Sequence, residues 1–371
     1  MNFKELLYKI HQAKDLNLPF VIYRMPEVKV VQAIVQKDDR LDYADDFSSS
    51  GFIMAPFDSN RKAVLFAKKN TNRFRCDLDA SDFSFVDISK NQVQPIDLTK
   101  SKDKHLKLVK KGIKEIKNGH FSKAVLSRSE TVILKDLKVT NIFQSLMSKY
   151  QSAFVYVWFH PEIGLWAGAS PETLLKTKGN YFQTMSLAGT QKYRDTVEVS
   201  WGEKEIREQQ LVTDHIVDSL DTVKLEVSET YTRKAGDLLH LCNDINGYLS
   251  DANNLKGLLH KLHPTAAVCG LPRKEVRDFI LKEEGYDRSF YTGFLGELNH
   301  RNDNNGSVKE VDAKESESNL YVNLRCMQLL EEPNPKAIIY VGGGITLESD
   351  PLAEWKETVH KSLIMKSVIE G

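Results

Sequence analysis

The sequence predicts a mixed protein of the α/β or α+β class. Strand-like runs and helix-like patterns alternate along the whole chain, which is typical of that class. The composition, 41% hydrophobic and 27% charged, is that of an ordinary globular protein and excludes disordered and fibrous architectures. A length of 371 residues fits two domains or one large one.

Charge and cysteine content exclude several functional classes. The 51 basic residues are balanced by 51 acidic ones, whereas a nucleic-acid-binding protein needs an excess of Lys and Arg. No run of about 20 apolar residues predicts a membrane span, and the N-terminus lacks the pattern of a signal peptide. A disulfide framework or thiolate zinc site is not expected, because no CxxC pair occurs among Cys76, Cys242, Cys269 and Cys326. We therefore expect a cytoplasmic protein without nucleic-acid or membrane partners.

The first hundred residues indicate a short helix followed by several strands. The segments Val28–Val35 and Ala63–Phe66 are rich in β-branched or apolar residues and are bounded by polar turns. The polar stretch Ser89–Lys100, which contains Pro95, is a candidate linker. No motif that carries chemistry is found in this part.

Beyond Asp103 the pattern is more regular. A first helix is predicted by apolar residues at helical spacing before an Asn118-Gly119 stop signal. Strands are predicted at Ala124–Leu134, Phe154–Phe159, Gly164–Ala169 and Ala337–Val341, with a hairpin around Lys178-Gly179-Asn180. The polar segment Arg301–Ser318 is predicted to be a mobile loop between two further strands.

Two more helices are predicted in this part of the chain. One spans about Gly202–Val223 and buries Leu211, Val212, Ile216 and Leu220. The last helix begins with Asp350 as its N-cap and Pro351 at its first position.

Each of these two helices carries a pair of carboxylates. Glu205 and Glu208 share one helix face, as do Glu354 and Glu357, and Lys361 continues the second face one turn later. Such carboxylates can hold a hard cation such as Mg²⁺, which prefers oxygen ligands. The alternative for each pair is a solvated helix face.

Two further residues are candidates for acid and base chemistry. Lys123 lies at the mouth of an apolar strand, where desolvation can lower the pKa of an ammonium group and make it a base. The alternative is an edge lysine that prevents strand pairing. Glu172 follows Ser170-Pro171 at a strand boundary and is either a general acid or a surface turn residue.

A run of three glycines, Gly342–Gly344, follows the predicted strand Ile338–Val341. Glycines there permit close approach of the backbone to an anion. The run lacks the spacing of a dinucleotide fingerprint or a P-loop, so neither NAD nor ATP is implied. The alternative is a tight turn.

Nine segments occur in one order that resembles the chorismate-utilising enzymes, the family of the isochorismate, salicylate, anthranilate and aminodeoxychorismate synthases. No single segment is specific, but the ordered set is, and it covers about residues 100–371. The segments are Lys123–Arg128, Ala169–Glu172, Leu187–Thr190, Lys204-Glu205-x-x-Glu208, Leu262–Pro272, Arg288-x-x-Tyr291-x-Gly293-x-x-Gly296, Leu324-Arg325-Cys326, Gly342–Ile345 and Glu354–Thr358.

The resemblance implies a single chorismate-utilising domain over residues 1–371. Residues 1–100 correspond to the variable N-terminal part of the family and residues 101–371 to the motif-bearing catalytic part. The implied fold has two antiparallel β-sheets packed face to face, with helices outside. The implied substrate is chorismate and the implied cofactor is one Mg²⁺. We expect a monomer.

The resemblance also implies roles for individual residues of this chain. The implied metal ligands are Glu208 and Glu357 directly, and Glu205 and Glu354 through water. The implied partners of the enolpyruvyl carboxylate are Tyr291, Arg325 and the Gly342 amide. Those of the ring carboxylate are Gly189, Thr190 and Lys361, and His263 resembles the histidine near the leaving hydroxyl. Lys123 and Glu172 are the implied base and acid.

Three positions separate the branches of the family. Lys123 stands where the ammonia-using anthranilate branch has Gln, and Ala188 cannot replace the lysine nucleophile of the aminodeoxychorismate branch. Ala267 is typical of isochorismate synthases, whereas salicylate and anthranilate enzymes usually have Thr there. The resemblance thus favours a reversible isochorismate synthase that adds water at C2 and loses the C4 hydroxyl.

Alternatives to this assignment stay open. A salicylate synthase forms isochorismate in the same way and then eliminates pyruvate. A catalytically inactive chorismate-binding protein is an alternative of another class, although it would be expected to have lost the acid or the base. Both menaquinone and siderophore biosynthesis are compatible with isochorismate as the product.

Overall fold

The computed structural model describes residues 1–79, 82, 98–220, 224–235, 238–249, 254–300, 316–331 and 334–370. In these ranges the chain forms seven α-helices and nineteen strands, and the strands make two antiparallel sheets of nine and ten strands. The prediction of two antiparallel sheets with helices outside is confirmed. Within the same ranges, no helix is both long and apolar enough to cross a bilayer.

The first sheet consists of nine strands from all parts of the chain. They are β1 (Phe20–Arg24), β2 (Val30–Gln36), β6 (Thr71–Asp77), β7 (Lys123–Ile133), β8 (Phe154–His160), β9 (Gly164–Ser170), β15 (Gly270–Leu271), β18 (Cys326–Leu330) and β19 (Lys336–Ile345). Their spatial order is β15-β7-β19-β18-β9-β8-β1-β2-β6.

The second sheet has ten strands. They are β3 (Tyr43–Ala44), β4 (Gly51–Ala55), β5 (Ala63–Ala67), β10 (Thr173–Lys178), β11 (Tyr181–Lys192), β12 (Leu225–Val227), β13 (Tyr231–Ala235), β14 (Leu238–Tyr248), β16 (Phe294–His300) and β17 (Glu317–Val322). Nine of them follow the order β12-β14-β11-β10-β17-β16-β4-β5-β3, and β13 also pairs with β14.

Seven helices cover the outer faces of the sheets. They are α1 (Phe3–Asp15), α2 (Thr99–Lys117), α3 (Val139–Lys149), α4 (Glu203–Ser219), α5 (Leu255–Leu262), α6 (Arg273–Glu283) and α7 (Pro351–Glu370). Helices α1, α3 and α7 pack on the first sheet, α4 and α5 pack on the second, and α2 and α6 pack around β7.

Aromatic side chains fill the space between the two sheets. Trp158 of β8 stacks on Phe66 of β5 with ring centroids 5.2 Å apart. Phe154 of β8 stacks on Tyr321 of β17 at 4.3 Å. Each such pair joins one sheet to the other, and burying each ring contributes roughly 1.5–3 kcal/mol. This core extends to Tyr291 and Tyr340 and ends beneath the site described below.

The glycine run does not form the tight turn that was the alternative interpretation of its sequence. Strand β19 does not end at Val341 but continues to Ile345, and Gly342–Gly344 pair with Val125–Ser127 of β7. The run is therefore extended backbone in the middle of a sheet. The pairing with β7 is a long-range contact that the local sequence does not reveal.

Other helices and strands begin or end a few residues away from their predicted bounds. The first regular helix begins at Thr99 rather than Asp103, so the end of the candidate linker is helical, while residues 83–97 lie outside the described ranges. Helix α4 ends at Ser219, and its predicted core residue Leu211 is only half-buried. Residues 301–315 of the predicted mobile loop also lie outside the described ranges, and Ser318 belongs to β17.

The N-terminal part contributes to both sheets. Strand β1 pairs with β8 in the first sheet, and β4 pairs with β16 in the second. The described strands of the N-terminal part, within residues 20–77, are therefore built into the same sandwich as the motif-bearing part.

Candidate active site

One cavity gathers most of the predicted site residues. It has a volume of about 140 Å³ and opens between β19, α4, α7 and the turn that carries Tyr291. Eleven of the fourteen predicted residues line it: Glu172, Gly189, Thr190, Glu205, Glu208, Ala267, Tyr291, Arg325, Gly342, Glu357 and Lys361. Residues separated by up to 189 positions in the chain thus converge on one site.

The glycine run forms one wall of this cavity. A Cβ at Gly344 would clash with Glu208 Oε1, and a Cβ at Gly342 would lie 3.0 Å from the Tyr291 hydroxyl. A Cβ at Gly343 would lie 3.3 Å from Glu354 Oε2 and 3.6 Å from Glu357 Oε1. The missing side chains therefore make room for three carboxylates and a tyrosine at the strand surface.

Three of the four predicted metal-shell glutamates form ion pairs with lysines. Lys123 Nζ lies 3.0 Å from Glu208 Oε1, and Lys204 Nζ lies 2.9 Å from Glu354 Oε1. Lys361 Nζ lies 2.7 Å from Glu357 Oε1. The charges of these carboxylates are thus compensated within the protein.

The environment shifts the pKa of two of these carboxyls in opposite directions. Burial alone would raise the pKa of Glu208, but the charge and hydrogen bond of Lys123 outweigh burial and leave it below its ordinary value. Burial, followed by the negative charge of Glu357, raises the pKa of Glu354. Glu208 is therefore held in its ionised form.

The donor set fits a hard divalent cation in its chemistry. All four side chains offer carboxylate oxygens, which Mg²⁺ prefers. Glu354 Oε2 is buried without a hydrogen-bond partner, and the absent Cβ of Gly343 leaves space between Glu354 and Glu357. In the described part of the chain, however, no three Asp, Glu, His or Cys side chains converge closely enough to hold a metal. In this arrangement Glu208, Glu354 and Glu357 pair with lysines.

A histidine missed by the sequence analysis links two anion-binding parts of the cavity. His240 Nδ1 lies 2.7 Å from the Gly189 carbonyl oxygen, and His240 Nε2 lies 3.0 Å from Arg325 Nη2. Burial, assisted by the charge of Arg325, lowers the pKa of His240 to about 3. The ring is therefore neutral at ordinary pH. Nδ1–H then donates to Gly189 and Nε2 accepts from Arg325.

Arg325 is held on a second side as well. Its Nη1 donates to the Ala235 carbonyl at 2.9 Å, and its own backbone has φ 46°, in the left-handed region. A non-glycine residue there is uncommon and is kept in place by its surroundings. The guanidinium is thus fixed as a cation at the edge of the cavity.

Glu172 has the environment of a general acid. The residue is buried, and its backbone is fixed by a hydrogen bond from Val322 N to the Glu172 carbonyl. Burial raises the pKa of its carboxyl to about 8, with the charges of Lys123 and Arg233 opposing the shift. The carboxyl is therefore protonated at neutral pH and can donate a proton into the cavity.

Three predicted site residues do not line the cavity. Two of them contact residues that do line it: Lys123 pairs with Glu208, and Glu354 pairs with Lys204. The expectation for His263 does not hold. Its Nε2 lies 3.0 Å from the Pro56 carbonyl oxygen, its ring packs on Phe294, and it lines a different cavity.

Two residues of the cavity, His240 and Lys204, had little local signal that could predict their roles. His240 lies within β14, an apolar strand, where a single histidine is more often structural than functional. Lys204 directly precedes Glu205 and was included in a motif without a role. Their functions depend on contacts with Gly189, Arg325 and Glu354, which are distant in the chain.

Several known proteins are similar to this chain in sequence or in structure. A family model described as "Chorismate binding enzyme" matches residues 59–370. The isochorismate synthase MenF of Pasteurella multocida is 26% identical over 274 residues, which cover 71% of this chain and 60% of that protein. The isochorismate synthase EntC of Escherichia coli K12 is 29% identical over 216 residues, 55% of this chain and 51% of that one. The chain thus spans 60% or less of the length of these relatives.

Solved structures show the same fold. A structure described as a 2,3-dihydroxybenzoate-specific isochorismate synthase, DhbC, from Bacillus anthracis matches with a TM-score of 0.76 at 22% identity. The match covers 96% of this chain and 99% of that one. Anthranilate synthase component I from Streptococcus pneumoniae matches with a TM-score of 0.64 at 17% identity, over 93% and 89% of the two chains.

Proposed function

Because the chain belongs to the chorismate binding enzyme family, we propose that it is an isochorismate synthase, an isomerase that converts chorismate reversibly to isochorismate. The observation that carries this proposal is the convergence of six charged or acidic side chains on one cavity. They are the buried acid Glu172, the cations Arg325 and Lys361, and the carboxylates Glu205, Glu208 and Glu357. The relatives named isochorismate synthase support the same assignment.

Recognition of the substrate rests on its two carboxylates. Arg325 is the cation for the enolpyruvyl carboxylate, assisted by the Tyr291 hydroxyl and the Gly342 amide on the glycine strand. A guanidinium binds a carboxylate with paired hydrogen bonds, which fixes orientation as well as charge. Lys361, with Gly189 and Thr190, serves the ring carboxylate.

Mg²⁺ would add a further contact to the ring carboxylate. Glu208 and Glu357 would hold the ion directly, and Glu205 and Glu354 would hold it through water. When bound, Mg²⁺ would supply positive charge that offsets the substrate dianion. In the structure Glu208 and Glu357 pair instead with Lys123 and Lys361.

The chemical step needs one base and one acid. Lys123, in its neutral form, removes a proton from water as the water oxygen bonds to C2. Both ring double bonds shift and the C4–oxygen bond breaks, and Glu172 protonates the departing hydroxyl so that it leaves as water. In the reverse reaction the two residues exchange roles.

The product distinguishes this function from its alternatives. We expect protein, chorismate and Mg²⁺ to give isochorismate with little or no salicylate near neutral pH, because Ala267 stands where salicylate-forming relatives have Thr. Chromatography of the mixture measures both products, with heat-denatured protein as the control. Stoichiometric salicylate and pyruvate would identify a salicylate synthase, and no turnover despite chorismate binding would identify an inactive binding protein.

His240 is expected to matter for substrate binding. In His240→Ala the Arg325 guanidinium loses an acceptor, and we expect KM for chorismate to rise by about 10-fold, since an unpaired buried group costs about 1–3 kcal/mol. His263→Ala is the matched control, because both histidines are 8% exposed and only His240 lines the main cavity. Equal effects of the two substitutions on KM would contradict the role of His240.

A further inference from the structure

A buried ion pair lies directly behind the cavity wall. Arg288 Nε donates to Glu284 Oε2 at 2.8 Å, and Arg288 Nη2 donates to Glu284 Oε1 at 2.5 Å. The two side chains are 1% and 0% exposed. Glu284 caps the C-terminus of α6, and neither residue has a role in the proposed chemistry. Removing a charge pair from water costs free energy of folding unless good geometry and additional hydrogen bonds offset that cost.

The remaining donors of Arg288 all reach residues of the cavity wall. Nη1 donates to the Val268 carbonyl at 2.9 Å and to Thr292 Oγ1 at 3.2 Å. Nη2 donates to the Val125 carbonyl at 2.7 Å. With the two bonds to Glu284, all five guanidinium N–H groups are used. Val125, Val268 and Thr292 each line the main cavity.

Glu284 extends these contacts to the glycine strand. Its Oε1 accepts hydrogen bonds from Ser127 N at 2.8 Å and Ser127 Oγ at 2.9 Å. Ser127 is the residue of β7 that pairs with Gly342. The ion pair is thus connected to the strand that forms the wall of the cavity.

The same pair is connected to Tyr291. Tyr291 N donates to the Arg288 carbonyl at 2.8 Å, and Thr292 Oγ1 donates to the Tyr291 carbonyl at 2.6 Å. Thr292 has φ 60°, in the left-handed region, so this turn adopts a conformation that its own sequence disfavours. The contact with Arg288 holds it there.

We propose that Arg288 and Glu284 are a positioning pair that fixes Tyr291 and Gly342 relative to each other for binding of the substrate's enolpyruvyl carboxylate. The inference rests on the proposed function. The pair acts through its contacts with three segments, β7, the Val268 segment and the turn at Thr292, and does not touch the substrate. A lysine can replace Arg288 only in part, because a single ammonium keeps the charge but lacks the five-donor geometry.

The test must separate positioning from a general contribution to stability. Arg24 is the matched control: like Arg288 it is 2% exposed, and it donates to a backbone carbonyl, that of Tyr150, but it does not line the main cavity. The variants are Arg288→Met, Arg288→Lys, Glu284→Gln/Arg288→Met and Arg24→Met. The double variant removes both charges, so that no unpaired buried charge is left to unfold the protein.

For each variant we would measure the melting temperature, KM for chorismate, kcat and the Mg²⁺ concentration for half-maximal activity. Arg288→Met and the double variant should raise KM at least 10-fold, with kcat and the Mg²⁺ requirement changed less than threefold. Arg288→Lys should restore part of the loss. Arg24→Met should lower the melting temperature by several degrees with KM within twofold of wild type.

An unchanged KM in the double variant, or an equal rise in KM in Arg24→Met, would overturn the proposal. If the unmodified protein binds chorismate without converting it, the proposed function fails separately. In that case the dissociation constant for chorismate becomes the readout. Binding at least 10-fold weaker in the double variant supports the positioning pair, and equal binding contradicts it.

Discussion

Replacing Glu208 or Glu357 should abolish turnover of chorismate while leaving the protein folded. Both carboxylates are proposed direct ligands of Mg²⁺, which offsets the charge of a dianionic substrate. Loss of several kcal/mol of electrostatic stabilisation corresponds to a rate lower by about 10³-fold or more. The measurement is kcat/KM at saturating Mg²⁺, with calorimetric titration of Mg²⁺ as an activity-independent readout.

The choice of substitution matters at Glu208. Lys123 is fully buried and pairs with this carboxylate, so Glu208→Ala leaves an ammonium group without its partner. Glu208→Gln keeps the shape and an acceptor oxygen and is the variant to compare. Glu203→Ala, at an exposed position of the same helix, is the control and should change neither activity nor Mg²⁺ affinity.

Removal of the metal gives an independent version of this test. Excess EDTA should eliminate activity, and added Mg²⁺ should restore it. Full activity in excess EDTA, or wild-type Mg²⁺ affinity in both Glu208→Gln and Glu357→Gln, would remove the metal from the proposal.

The fold was predictable to the extent that its signals are local. The hairpin around Gly179 and the start of α7 at Pro351 follow from turn and capping residues, and the structure has both. The last strand was predicted to end at Val341, before the glycine run, because the extended form of that run depends on pairing with β7, more than 200 residues earlier. Local sequence does not encode such pairing.

The site was predictable mainly from the order of its motifs. That order located eleven cavity residues, but it pointed to His263 and overlooked His240. His263 follows a helix and binds a backbone carbonyl, while His240, within an apolar strand, contacts Arg325 from 85 positions away. Similarly, the spacing of Glu205, Glu208, Glu354 and Glu357 indicated a cation site without revealing that Lys123 pairs with Glu208 and Lys204 with Glu354. Only the tertiary contacts define these partners.

Loss of the proposed base or acid is the second large effect. Lys123→Ala and Glu172→Gln should each lower kcat by about 10²–10⁴, the usual contribution of one general acid or base. Binding of chorismate should suffer much less, because neither residue is assigned to a substrate carboxylate. Lys176→Ala, a half-buried lysine of β10 outside the cavity, is the control and should leave kcat near wild type.

The raised pKa of Glu172 predicts how kcat changes with pH. Burial raises the pKa of Glu172 to about 8, so its proton is present at neutral pH and lost as the pH rises through about 8. Because the acid must be protonated to release the C4 hydroxyl, kcat should fall on the alkaline side of pH 8. Glu172→Gln has no proton to lose at this position, so the decline due to Glu172 should be absent from its residual rate. If Lys123→Ala keeps near wild-type kcat, or loses activity only through weaker binding of chorismate, then Lys123 is a structural partner of Glu208 and not the base.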